Sequence, residues 1–395
     1  MYLTREEERI YNGEYGWAYQ ISMKILVKLG DLYGADRLIP IESAHISGVA
    51  YKTIGDAPIE FLRALADSGG RATVKATTNP SSINLENQLF THLPKEVIEN
   101  QGEILTLYER MGLETTLTCT PYYLERPKSG SHLSWAESSA VIYANSLLNA
   151  WTNREGGPSA LASALIGKTP NYGLHRLENR HASVLVRVEM RLKSEADYGA
   201  LGVYLGEILR DRIPVICGLR KREEHCLKQL GAAMATSGMT PMFYLRENDK
   251  GGKSVEEKIS VDERSIKISY ERLTSAFDKP DLIFIGCPHC SPEELRIIAD
   301  YLKGKKVRDD IKLWICTSRY ARKIAEEHVE AIEASGGRVI CDTCAVITWL
   351  KELGVETLVT NSAKTAHYAP LTNKVRTALL SLEECIGIAC KGMEI

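Results

Sequence analysis

The feature that most constrains this chain is positional. Strand-like runs alternate with helix-like runs, the α/β pattern, and the residues just past the strands are rarely inert. Strands are predicted at Arg37–Ile41, Ala72–Ala76 and Thr115–Cys119, with helices at Pro58–Asp67 and Leu93–Met111. Later strands are expected at Arg212–Leu219, Pro241–Leu245, Asp281–Gly286, Lys312–Cys316, Arg338–Cys341 and Thr357–Thr360. The helices between them are Cys226–Ser237, Pro292–Leu302, Ala321–Ser335 and Val346–Leu353. In open α/β sheets ligands collect at the carboxyl ends of strands. Here those ends read Glu42-Ser-Ala-His-Ile-Ser-Gly48, Thr77-Thr-Asn-Pro-Ser-Ser82, Cys119-Thr-Pro-Tyr122, Gly286-Cys-Pro-His-Cys-Ser291, Cys316-Thr-Ser-Arg319, Cys341-Asp-Thr-Cys344 and Asn361-Ser-Ala-Lys-Thr-Ala-His367. Any one is a plausible turn or cap. Seven together, rich in Cys, His, Asn, Ser and Lys, point to one polar cleft.

Two stretches interrupt the alternation. Ser134–Trp151 reads as one long helix, followed by a structureless Gly/Pro/Asn-rich segment up to Gly173, and a loop of that length in a compact protein is usually functional. The polar, aperiodic stretch Glu247–Glu263, with Asp249-Lys-Gly-Gly-Lys253, is expected to be a solvated excursion. The organisation expected is a first α/β lobe over 1–133, a linking helical segment and functional loop over 134–205, and a second α/β lobe over 206–395.

Composition excludes several classes. The chain has 49 Lys and Arg against 51 Asp and Glu, a formal charge of -2, which gives no electrostatic case for nucleic acid or an anionic membrane. The first ten residues are too charged for a secretory leader, and no apolar run is long enough to span a bilayer. A cytoplasmic setting is therefore expected. In a reducing compartment the ten cysteines need a reason other than disulfides.

Two CxxC pairs stand out, Cys287–Cys290 and Cys341–Cys344. A zinc ribbon favours pairs about 15–20 residues apart. Here a complete strand–helix–strand intervenes, although a zinc-stabilised, non-catalytic scaffold or binding protein stays open as an alternative. A thioredoxin-like dithiol fits Cys287 at a helix start but does not call for the polar residues that follow. The third alternative is an iron–sulfur cluster, since thiolates are soft ligands and can come from distant strand ends. A catalytic cluster held by three cysteines leaves one iron open as a Lewis acid. Cys119, Cys287 and Cys344 each sit at a strand end. Cys290 and Cys341 are the rivals within each pair, whereas Cys217, Cys226, Cys316, Cys385 and Cys390 read as buried structural thiols.

From Ile41 to Pro370 the chain resembles the aconitase X family. The residues that carry the resemblance are His45-Ile-Ser-Gly-Val-Ala-Tyr-Lys52, Thr78-Asn-Pro80, Cys119-Thr-Pro-Tyr122, Trp135-Ala-Glu-Ser-Ser139, Asn145-Ser146, Thr152-Asn-Arg-Glu-Gly-Gly-Pro-Ser159, Gly286-Cys-Pro-His289, Asp342-Thr-Cys344 and Thr360-Asn-Ser-Ala-Lys364. The likeness is strongest to the family's two-subunit archaeal branch. It implies an aconitase-like core of two or three α/β lobes with parallel sheets and a cleft. It also implies an iron–sulfur cluster, [4Fe-4S] with one open iron, on Cys119, Cys287 and Cys344. The implied reaction is dehydration of (R)-mevalonate 5-phosphate to trans-anhydromevalonate 5-phosphate, with dehydration of hydroxyproline or another hydroxy acid as the alternative.

In the fused members of the family a swivelling domain lies in the same polypeptide. This chain stops at Ile395, so the resemblance implies a separate small subunit carrying that domain and a serine base. Dehydration needs a proton taken from the carbon beside the carboxylate and a hydroxyl lost from its neighbour. The resemblance then places Glu137, Lys364 and His45 in catalysis. Glu137 would contact the leaving hydroxyl or orient a neighbour, and Lys364 would be a point charge for a carboxylate or phosphate. His45 could instead be a capping or core residue. Ile46, Ser47, Asn79, Ser82 and Ser138 are expected to hold substrate, with Arg154 and Arg319 binding phosphate or pairing with an acid such as Glu155.

Overall fold

In a computed structural model that describes residues 1–247, 255 and 257–391, the chain forms two compact units, Met1–His181 and Ala182–Ile395. Of the boundaries expected from sequence, residue 133 opens a sheet strand and residue 205 lies inside the helix Glu195–Leu209.

The first unit is built on a parallel three-stranded sheet in the order Lys75–Thr78, Ser43–Ile46, Leu133–Trp135. Ile46 and Ala76 from this sheet pack with Leu62 and Leu65 of the helix Ala57–Asp67. Ile104 and Leu107 of Lys95–Arg110, and Leu161 and Leu165 of Gly157–Ile166, complete that core. Leu38–Pro40 does form a strand, but it pairs antiparallel with Lys168–Pro170 outside the main sheet. The sheet strand comes just after it, so His45 lies within a strand and not in the loop expected at 42–48.

Three further expectations in this unit are corrected. The strand expected at 72–76 is Lys75–Thr78. Thr115–Cys119 is not a strand: Leu117 has a φ of 47°, a left-handed backbone that breaks an extended run. The segment keeps one ladder contact, Thr118 N–H to Thr78 O at 3.1 Å. Ser134–Trp151 splits into the strand Leu133–Trp135 and the helix Ser138–Leu147, because the Glu137 carboxylate caps a new helix. The Gly/Pro-rich segment is also ordered, since Gly156-Gly-Pro158 begins the helix Gly157–Ile166, with proline tolerated in its first turn.

The second unit holds two parallel sheets. One runs Tyr244–Leu245, Pro214–Cys217, Val184–Val188, Glu257–Val261. The other runs Arg338–Ile340, Lys312–Thr317, Leu282–Cys290, Thr357–Thr360, Arg376–Leu379. The central strand Leu282–Cys290 is buried along its whole length, as expected when helices cover both faces of a parallel sheet. It runs four residues beyond the expected end at Gly286.

The stretch Glu247–Glu263 is partly structured: Glu257–Val261 is an edge strand and Asp262 caps the helix Glu263–Leu273, whereas Asp249–Lys253 lies outside the described residues. Its polar composition suits an edge, where one side of the strand meets water. The expected helix Ala321–Ser335 is two, Arg319–Ile324 and Glu326–Ala334. Val346–Leu353 forms turns in place of a helix, and the Asn373 side chain supplies partners to Leu350 N–H and to the carbonyl of Ala345.

Helices Glu195–Leu209 and Glu224–Ser237 pack closely because Gly202 and Gly206 face the latter. A Cβ at Gly202 would lie 2.5 Å from Leu230 O and 2.6 Å from the Ala233 methyl. Gly202→Val is therefore expected to overpack this contact and destabilise the chain by about 1–3 kcal/mol, read as a lower denaturant midpoint.

Candidate active site

In the first unit the parallel register sets His45 beside Thr77 on one neighbour and Trp135 on the other. The imidazole is fully buried. Its Nδ1 lies 2.8 Å from Thr77 Oγ1 and its Nε2 lies 2.9 Å from Asn79 Oδ1. Asn79 Nδ2 donates to Glu137 Oε2 at 2.8 Å, and Glu137 Oε1 accepts from Ser139 N (3.2 Å) and Ser139 Oγ (2.8 Å).

The orientation of the Asn79 amide follows from the carboxylate. An ionised Glu137 only accepts, so the amide of Asn79 must turn its NH₂ toward Glu137 and its oxygen toward His45. That places a proton on His45 Nε2, which donates to Asn79 Oδ1, while Nδ1 faces the Thr77 hydroxyl and the Thr118 backbone also bonds the ring. Glu137 also caps the helix Ser138–Leu147, where the amino-end dipole favours negative charge. Both ring nitrogens of His45 are thus committed within the fold.

The remaining first-unit residues divide. Ser47 and Ser138 are half-buried, at the end of the His45 strand and in the first helical turn after Glu137. Arg154 is exposed and Cys119 is buried. The Ile46 side chain packs in the core, and its carbonyl accepts from Asn79 N at 2.9 Å. Ser82 Oγ donates to Gln101 Oε1 at 2.6 Å. The same Gln101 oxygen accepts from Ser82 N and Tyr51 N, and Gln101 Nε2 donates to Val49 O. This buried glutamine gathers two motif loops, and nothing marks it in the sequence of an otherwise ordinary amphipathic helix.

In the second unit the two CxxC segments adjoin. The central strand pairs Ile285 with Ile315 and then Cys290 with Thr317, so residues 286–289 bulge out of the ladder. Gly286 makes this possible: its φ is 110°, and a Cβ there would lie 2.2 Å from Cys316 O. Three side chains hold the bulge. Lys228 Nζ donates to His289 O at 3.0 Å and pairs with Glu294, Gln229 Nε2 donates to Cys287 O at 3.3 Å, and His289 Nε2 donates to Thr343 O at 3.1 Å. His289 therefore ties the first CxxC to the second. Its position inside Gly286-Cys-Pro-His289 was a usable signal, whereas Lys228 is indistinguishable in sequence from a surface lysine.

Cys287 and Cys344 are both buried. Burial first, and then the neighbouring Cys287, push the Cys344 thiol up to about 12, with the Lys364 charge and the Val346 and Ile347 N–H groups opposing. Cys341 is pushed up to about 12 and Cys290 and Cys316 are also raised, each mainly by burial. Lys364 is nearly buried in the first turn of Ala363–Asn373. Adjacent cysteine sulfurs are the soft donors that a metal such as iron or zinc takes. Among the described residues, no three His, Cys, Asp or Glu side chains form a preformed cage for a single ion. Arg319 forks onto the buried Asp342 carboxylate, with Nε 2.9 Å from both oxygens and Nη2 2.6 Å from Oδ2. A cavity of about 730 Å³ within this unit is lined by Glu195, Cys226, Gln229, Cys290, Asn361 and Leu382, among others.

Models of the aconitase X first, second and third domains match residues 1–178, 182–278 and 280–391, and the chain belongs to the aconitase X family. It is 44% identical to the phosphomevalonate dehydratase large subunit of Methanocaldococcus jannaschii, over 98% of this chain and 99% of that one. It is 45% identical to the protein of the same name from Methanothermobacter thermautotrophicus, over 94% of each. Identity to the cis-3-hydroxy-L-proline dehydratase of Pseudomonas aeruginosa is 33%, over 98% of this chain and 69% of the relative. The crystal structure of Thermococcus kodakaraensis aconitase X in its holo-form superposes with a TM-score of 0.91 at 44% identity, covering 98% of this chain and all of that one. The α/β fold with parallel sheets expected from sequence is borne out. No helix among the described residues is long and apolar enough to cross a membrane.

Burial pushes His45 down to about 4, against the opposing effects of the Asn79 bond, the Glu137 charge and the Thr118 backbone bond, so it is neutral at physiological pH. Because the unfolded ring titrates near 6.5, the unfolded state takes up the proton first as pH falls. Stability is lost from about pH 6.5 down to about pH 4 and levels off below. This group alone is expected to cost roughly 2–3 kcal/mol between pH 7 and pH 4.5. His45→Gln is expected to flatten that part of the stability profile, measured as denaturant midpoints at the two pH values. An unchanged slope would contradict a neutral buried His45.

Proposed function

We propose that this chain is the large subunit of a hydro-lyase that converts (R)-mevalonate 5-phosphate to trans-anhydromevalonate 5-phosphate, acting with a small subunit. The observation that carries the reading is the 44% identity, over almost the whole of both chains, to relatives named phosphomevalonate dehydratase large subunit, against 33% to hydroxyproline dehydratases. In this reading the C2 proton and the C3 hydroxyl leave as water, and a C2–C3 double bond forms next to the carboxylate. The base that takes the proton is assigned to a serine on the swivelling domain of the small subunit.

Cys119, Cys287 and Cys344 are the residues we assign to a [4Fe-4S] cluster. When bound, a cluster with one iron free of protein ligation supplies a Lewis acid for the departing hydroxyl. The protein's own groups do the rest. Lys364 provides a fixed positive charge beside Cys344 for an anionic substrate. Glu137 acts as an orienting charge, since its oxygens are occupied by Asn79 and Ser139, and His45 is a positioning group for Asn79. Ser47 and Ser138 lie at the partly exposed margin of that network and are assigned to substrate contact.

The anaerobically purified chain, mixed with the small subunit, is expected to form the anhydro product from mevalonate 5-phosphate, and the chain alone is not. A reconstituted pair that dehydrates hydroxyproline and not mevalonate 5-phosphate would reject the assignment. Cys119→Ser, Cys287→Ser and Cys344→Ser are each expected to abolish the broad visible absorption near roughly 400 nm and the activity, whereas Cys316→Ser keeps both. Bleaching by Cys290→Ser or Cys341→Ser instead would move the ligand to the other member of that pair.

A further inference from the structure

The reason for the fork between Arg319 and Asp342 lies in the backbone. Asp342 has a φ of 72°, a left-handed conformation that a residue with a Cβ adopts at a cost. Its carboxylate is buried while the Arg319 side chain is half-exposed, so the arginine reaches inward to it. Arg319 itself is fixed, because it opens the helix Arg319–Ile324 after the strand Lys312–Thr317, and Ser318 Oγ caps that helix through Ala321 N–H at 3.1 Å. The next residue, Thr343, is held through its carbonyl by His289 Nε2. Both residues between Cys341 and Cys344 are thus held from outside the loop.

We infer that Arg319 is a positioning residue for Cys344 and not a phosphate ligand. By pinning Asp342 in its left-handed turn, it sets the direction in which the chain delivers the Cys344 thiol toward the Val346 and Ile347 N–H groups. The Asp342 carboxylate takes the Nε and Nη2 edge of the guanidinium, so a phosphate could not fork onto that edge, and at the rest of the group it would meet the repulsion of the carboxylate. The inference rests on the reading that Cys344 helps to hold an iron–sulfur cluster. Partners of metal ligands commonly change metal retention about 10–100-fold when removed.

The test uses the full chain with its small subunit, purified anaerobically, as wild type, Arg319→Met, Arg319→Lys and Asp342→Asn. The readouts are decay of the visible band under a chelator, and KM and kcat measured separately. Arg319→Met is expected to lose its band about 10–100-fold faster. Its kcat per chain falls, while KM for the phosphorylated substrate stays within about twofold. Arg319→Lys should be intermediate, because a point charge cannot fork. Asp342→Asn should also bleach faster than wild type while keeping the left-handed turn that asparagine tolerates. A KM raised more than about tenfold with unchanged bleaching would make Arg319 a phosphate ligand and overturn the inference. If Arg319→Met does not fold, Asp342→Asn decides, and wild-type bleaching in that variant overturns the inference. A wild-type chain with no visible band rejects the cluster reading and the inference together, whereas a coloured wild type with equally stable variants rejects only the role of Arg319.

Discussion

The bulge at residues 286–289 is the constraint on which the chemistry of the second unit depends. A parallel strand buried on both faces has no room to present a reactive side chain, and Leu282–Ile285 obeys that rule. At Gly286 the strand leaves its ladder, and only a residue without a Cβ fits against Cys316 O. The bulge re-aims Cys287 and presents the carbonyls of Cys287 and His289 to Gln229 and Lys228. Because His289 then reaches Thr343, two cysteine-bearing segments that are distant in sequence become one assembly.

The first unit reaches order by a different route. Its polar network runs from Thr77 through His45 and Asn79 to Glu137 and Ser139, with the orientation of the Asn79 amide set by one carboxylate. Burying such a chain is favourable only when each member is satisfied. The outcome is a neutral histidine used as structure, and a glutamate whose charge is consumed in orienting amide and hydroxyl groups.

The α/β class, the strands Leu282–Cys290, Lys312–Thr317 and Thr357–Thr360, and helices such as Lys95–Arg110 and Pro292–Leu302 were legible because parallel strands and amphipathic helices leave strong periodic signals, whereas the central strand Val184–Val188 and the helix Glu195–Leu209 were not. The errors have specific causes. Ser43–Ile46 was hidden because another strand, Leu38–Pro40, precedes it immediately, and Leu117 broke a run that composition alone favoured. The helix at Gly157–Ile166 was disguised by the residues that start it, which look like loop when read without their context. Among site residues, the cysteines and His45 announced themselves by type and placement. Arg319 was expected either to bind phosphate or to pair with an acid, and the sequence could not name Asp342 as that acid because the two meet only through the parallel pairing of Lys312–Thr317 with Arg338–Ile340. Gln101, Lys228 and Gln229 brace loops through side chains whose neighbours are set by tertiary structure, and a single sequence carries no mark of that.

The account stands on the proposal that thiols of this chain hold an iron–sulfur cluster and not a structural zinc. The most direct measurement is the content of iron, inorganic sulfide and zinc per chain after strictly anaerobic purification. The account predicts about four irons with matching sulfide and no stoichiometric zinc. A colourless protein with one zinc per chain and no inorganic sulfide would contradict it.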